Sequence, residues 1–235
     1  MYHKLDRSRN DWGRQPGLPG LLECSPNDSS LGAMKDPLRV IYSANLTKAS
    51  LKVPESRIIA GLLLERADEA GWRRAILDEN VLQKRSASTA RTFADYIRHR
   101  LSTMQSPLWE LVHDGSPVVA TQAVLAAAIK HSRLLADFFD QVLKEHSRQF
   151  KTTITNTDWA DFIASCAGQD PNVETWTPEV VIKLRQVVFR ILAEAGYVDS
   201  TKTMALQRVA IAAPLIKYLE DTQEADVLRL MRVMS

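Results

Sequence analysis

Between Lys84 and Arg100 the chain carries five basic side chains, Lys84, Arg85, Arg91, Arg98 and Arg100, against a single acid, Asp95. The whole protein has 30 Lys/Arg and 28 Asp/Glu, so this local excess is not inherited from composition. Clustered ammonium and guanidinium groups do one kind of chemistry well, which is to hold phosphates. Lys84 and Arg85 precede a helix start rich in Ser and Thr, where free N–H groups and the helix dipole add to the attraction for phosphate. Arg91 and Arg98 lie seven residues apart and share a face opposite Phe93 and Ile97. The competing reading is a solvated face, with Asp95 bridging Arg91 and Arg98 in a surface ladder worth only about 0.3–0.5 kcal/mol per pair. Charge spacing alone leaves both readings open.

Other chemistry is poorly supplied. No phosphate-binding glycine loop, nucleophile elbow or dinucleotide fingerprint occurs. The five histidines, His3, His99, His113, His131 and His146, never adopt metal-ligand spacing with a third ligand nearby. Lys130, His131, Ser132 and Arg133 are contiguous, but adjacent helical residues diverge and cannot assemble a triad. The expectation is a protein without catalysis and without cofactor. Cys24 and Cys166 fit no paired motif and are read as free thiols of a reducing compartment. The longest apolar run, residues 117–129, is interrupted by Thr121 and Gln122 and is too short for a bilayer. The N-terminus has no apolar signal segment. Both point to a cytoplasmic protein without membrane contact. Net charge is distributed weakly, with 6 basic and 5 acidic residues in 1–42, 15 and 12 in 43–150, and 9 and 11 in 151–235. Any polyanion surface must therefore be a local patch.

The elements that must position these residues are helices. Residues 1–40, punctuated by Pro16, Pro19, Pro26, Pro37 and several glycines, read as a flexible extension. From Pro54 the apolar period is helical, with Ile58, Ile59, Leu62 and Leu63 forming a stripe. A short helix around 69–79 and a turn lead to the basic helix, capped by Ser86 or Ser88, whose core face is Ala90, Phe93, Ala94, Ile97, Leu101 and Met104. Short helix, turn and basic helix have a helix-turn-helix outline. Pro107 opens another helix, and 117–149 is helical with a break near His131–Ser132.

A boundary is expected at residues 151–156, dividing an all-helical domain (41–150) from a second one (151–235). In the latter, Thr157 is expected to cap a helix bearing Trp159 and Phe162. Thr177-Pro178-Glu179 starts another that stops at Gly196. Residues 197–212 pattern as a small β-hairpin, and two helices followed by a hairpin give a winged-helix outline. Pro214 opens a last helix through Met231. Within this part Lys183, Arg190 and Lys202 are further phosphate-binding candidates, ranked below the 84–98 stretch.

Four segments, "YSANLTKASLKVPESRIIAGLLL", "ENVLQKRSASTARTFADYIRHRL", "AVLAAAIKHSRLLADFF" and "QVVFRILAEAGYV", in this order and spacing, resemble the BrxA family of bacteriophage exclusion (BREX) defence systems. The similarity covers about residues 42–220. It implies a mainly α protein, with a NusB-like N-terminal helical bundle followed by a winged-helix-like part. It also implies non-enzymatic binding of double-stranded DNA beside the methyltransferase, ATPase and phosphatase-like proteins of the system. It assigns no DNA-contacting residue, so the candidates rest on charge. Two other functions compete: a helical scaffold that assembles partner proteins without touching DNA, and RNA binding, which shared helical architecture does not by itself transfer.

Overall fold

The sequence PVVATQAVLAAAIKH is apolar on every side, and a helix of that kind must be surrounded. In the computed structural model, which describes residues 41–234, this segment is helix α5 (Pro117–His131), buried almost throughout from Ala120 to Ile129. Its alanines let neighbours approach closely, and it touches α1 (Val53–Leu64), α3 (Ala87–Leu101), α4 (Ser106–His113), α6 (Arg133–Asp137), α10 (Ala213–Asp221) and α11 (Ala225–Met231). Between α1 and α3 lies α2 (Glu69–Arg73), extended by a π-helical turn, Arg74–Asp78. α6 continues through a second π-helical stretch, Phe138–Leu143, into α7 (Lys144–Arg148). α8 (Asn156–Gln169) and α9 (Pro178–Glu194) follow, and 3-10 turns occupy Ala44–Lys48, Pro171–Thr175 and Arg232–Met234.

Local chemistry places most boundaries where the sequence put them. Ser86 caps α3 by accepting the Thr89 N–H. The break after α5 falls at Ser132, whose hydroxyl accepts the Leu135 N–H, and Gly196 ends α9 with φ +80°. Two expectations need correction. The cap of α8 is Thr155, not Thr157: its hydroxyl accepts the Asp158 N–H and the Asp158 carboxylate returns to the Thr155 N–H. The C-terminal helix is two helices, α10 and α11, parted at Gln223 with φ +59°.

The expected hairpin forms no strand among the described residues. Its arms meet by one antiparallel bridge, Val198 to Leu206, and a second bridge joins Thr153 to Ala205. The reason lies in where the second arm's backbone groups go. Gln207 still donates to the Tyr197 carbonyl, but Val209 donates to Met234. Gln122 of α5 then donates to the Ala210 carbonyl and accepts the Ala212 N–H. A buried glutamine thus diverts the arm onto the central helix before a ladder can grow.

One buried apolar cluster runs from Tyr42 to Met234 and includes side chains from both sides of residue 150. Tyr42 illustrates this continuity: its N–H and hydroxyl donate to Asp170 and Asp137 respectively. Cys166, buried and free, lies near that group, and burial pushes its thiol up to about 11. Residues 1–40, including Cys24 and the expected extension, lie outside the described residues.

Candidate polyanion-binding site

The cations of the 84–100 stretch have different fates. Arg100 is 0 % exposed and its guanidinium donates to the carbonyls of Ala49, Ser50 and Leu51 and to the Tyr96 hydroxyl. It clamps the segment preceding α1, so its candidacy as a phosphate ligand is withdrawn. Lys84, with no acid close in sequence beyond Glu79, donates to Glu55 at 2.8 Å and sits 5.0 Å from the Phe93 ring centre. Burial works to raise the Glu55 pKa, but the Lys84 hydrogen bond and charge outweigh it and hold the carboxyl below its ordinary value. Arg98 stacks 4.4 Å over Trp72. Only Arg85 and Arg91 of the five are exposed and unpaired among the described residues, and Asp95 bridges neither Arg91 nor Arg98. The ladder of the competing reading does not form, and most of the stretch is engaged in holding the fold.

A second group of cations is not so engaged. α9 buries Leu184, Val188, Ile191 and Leu192, which leaves Lys183, Gln186 and Arg190 in one row on the opposite face. The row ends at Gly196. Tyr197 then anchors the chain, its ring edge-on to Phe139 and its hydroxyl donating to the Met231 carbonyl. From this anchor the turn 199–205 projects. Asp199 organises it by accepting from the Ser200 and Ala205 N–H groups and the Thr203 hydroxyl. The Thr203 hydroxyl, aided by those backbone donors, holds the Asp199 carboxyl below the usual carboxylate range. Ser200 accepts the Lys202 and Thr203 N–H groups, which closes the turn around Lys202.

Between α9, this turn and the start of α8 lies an open cleft of about 710 Å³. Arg185, Gln186, Arg190, Lys202, Thr201, Thr203, Thr155 and Asn156 line it over a floor of Ile154, Phe189 and Met204, and no carboxylate is among the lining residues. Asp158 stands behind the lining, its carboxylate taken up by the Thr155 N–H and hydroxyl, by His146 at 3.2 Å and by Lys151 at 3.8 Å. Arg185, Arg190 and Lys202 form no ion pair with any described residue. The fold thus brings together Arg190 and Lys202, separate in the sequence, and adds Arg185, which charge spacing passed over. Lys183 continues the row two helical turns away from Arg190, about 10 Å along the axis. The available signal for Arg185 was the IKLRQVVFR run itself, with three cations and no acid.

Such a cleft can hold an extended anion, because unpaired guanidinium and ammonium groups recognise phosphate oxygens without a counter-charge to displace. Among the described residues no group of three His, Cys, Asp or Glu could hold a metal ion. No helix among them is long and apolar enough to cross a membrane.

Comparison with known proteins places the chain. It is 45 % identical over 192 residues to "BREX protein BrxA" of Paramagnetospirillum magneticum (strain ATCC 700264 / AMB-1), covering 82 % of this chain and 96 % of that protein. The protein of the same description from Escherichia coli O9:H4 (strain HS) is 32 % identical over 190 residues, covering 81 % and 89 % respectively. A crystal structure of an uncharacterized protein from Magnetospirillum magneticum superposes with a TM-score of 0.75 at 44 % identity, over 82 % of this chain and 98 % of that one. The BrxA family model matches residues 40–223, and the chain belongs to the BrxA family.

Proposed function

We propose that the protein is a non-enzymatic, double-stranded-DNA-binding component of a BREX phage-defence system, working in the cytoplasm beside the system's other proteins. The observation that carries this reading is the acid-free cleft lined by Arg185, Arg190 and Lys202. Duplex DNA is a line of phosphates, and neutralising several of them releases condensed counterions, which drives binding with little regard to sequence. In this reading α8, α9 and the bridged arm 197–206 act as a reduced winged helix behind a NusB-like helical part. The Asp199-ordered turn takes the place of the wing. Arg85 and Arg91 contribute a secondary contact.

The test is titration of a labelled duplex at several salt concentrations, with RNA duplex as competitor. Parent protein should bind DNA with log affinity falling linearly in log salt by about 0.9 per neutralised phosphate. Arg190→Glu with Lys202→Glu should weaken binding and flatten that slope. A correctly folded double variant that binds with the parent's affinity and slope would overturn the assignment of this cleft. No DNA binding by the parent at low salt would leave the scaffold function in its place.

A further inference from the structure

α7 ends in a left-handed turn, as α1 does at Arg66 and α10 at Gln223, but here the residue that takes it is aromatic. The Lys151 N–H donates to the His146 carbonyl at 3.0 Å and Phe150 has φ +55°, which is the geometry of a Schellman motif. The left-handed position of that motif belongs to glycine, because a β-carbon there is strained. Here it holds a phenylalanine that is 88 % exposed as a residue. The side chain therefore adds strain and leaves apolar area in water, while gaining almost no packing to offset either.

The surroundings say what the ring is for. Phe150, Lys151, Thr152, Leu206, Gln207 and Arg208 are among the residues that line a depression of about 290 Å³, which contains no carboxylate. It adjoins the cationic cleft through one pair of arms. Leu206 donates to the Thr152 carbonyl in this depression, and Ile154 donates to the Met204 carbonyl in the cleft. Arg148 is exposed one residue before Gln149, at the end of the same helix. An exposed aromatic ring flanked by cations, beside a cationic cleft, complements a polyanion that carries flat apolar faces.

We infer that Phe150 is a base-stacking residue. It receives an unstacked nucleobase of DNA whose phosphates lie along Lys151, Arg208 and the cleft cations. The protein accordingly prefers DNA with an opened or kinked base step to a regular duplex. This rests on the DNA-binding reading above. Aromatic side chains act in this way both on single strands and as wedges between duplex base steps.

The experiment compares full-length parent, Phe150→Ala and Phe150→Trp on two probes, a regular duplex and the same duplex with one central unpaired 2-aminopurine. The parent should bind the unpaired probe about tenfold more tightly, the lower part of the range for a base–aromatic stack, and change its fluorescence as the base leaves its neighbours. Phe150→Ala should abolish both the preference and the fluorescence change, losing more affinity for the unpaired probe than for the regular duplex. Phe150→Trp should restore both. Equal parent affinity for the two probes, or a preference that survives Phe150→Ala, overturns the stacking role while DNA binding stands. An equal loss on both probes assigns Phe150 to general support and also overturns it. Failure of the parent to bind either probe removes the DNA-binding reading itself.

Discussion

The two cationic regions of this protein are alike in sequence and opposite in use. Residues 84–100 have the denser charge, yet Glu55, Trp72 and three backbone carbonyls occupy Lys84, Arg98 and Arg100. On α9 and the following turn the charges are sparser, and Arg185, Arg190 and Lys202 face a cleft with no acid among its lining residues. The contrast teaches that a cation's availability depends on the carbonyls, carboxylates and rings the fold brings to it. Linear charge density does not report that.

The comparison breaks most visibly at Arg100. Arg100→Met should cost about 3 kcal/mol or more, because three buried carbonyls lose their donor, read as a lower denaturation midpoint. If the variant instead keeps the parent's stability and loses DNA affinity, the division between structural and free cations is wrong. Next in size are the two charge reversals set side by side. Arg190→Glu with Lys202→Glu should weaken duplex binding by about tenfold or more and reduce the salt slope by roughly two contacts' worth. Arg85→Glu with Arg91→Glu should do less, and the reverse order would move the main DNA surface to α3.

A smaller effect is expected at Lys84. Lys84→Met should lower stability by about 1 kcal/mol at neutral pH, since the pair with Glu55 is mostly buried and the ammonium also rests on Phe93. The pH dependence has a definite sign. Glu55 is held below its ordinary value in the folded protein, so its contribution is present above the unfolded carboxylate pKa and disappears as pH falls through the lowered folded value. The stability gap between parent and variant should therefore narrow on acidification, as chemical denaturation across pH 3–7 would record. The smallest change is Phe150→Gly, which should raise stability by about 0.5–1 kcal/mol by relieving the left-handed backbone strain at an exposed position. A loss of stability would mean that the ring packs in solution.

Local signals made most of the helices legible in advance. The apolar period of α1, α3 and α9, the serine caps, and Gly196 are short-range chemistry that a linear reading captures. What it missed was long-range. Nothing within ten residues of Lys84 announces Glu55, and nothing in the arm 206–212 announces that Gln122 will take its backbone. Hence the hairpin was expected and isolated bridges were found. The site divided in the same way. Arg190 and Lys202 were nameable as cations, but their convergence with Arg185 needed the turn at Gly196 and the Tyr197 anchor.

The diversion of the arm by Gln122 has a consequence for how the molecule opens. Val209 and Ala212 donate their amides to Met234 and to a side chain rooted in the most buried helix. The amides of Lys202 and Thr203 are held only within their own surface turn. Two stretches a few residues apart thus belong to different cooperative units. In hydrogen exchange Ala212 should keep its proton until the central helix gives way, while the tip bearing Lys202 exchanges freely. The charged tip can then adjust to the curvature of whatever it grips without loosening the body that carries it.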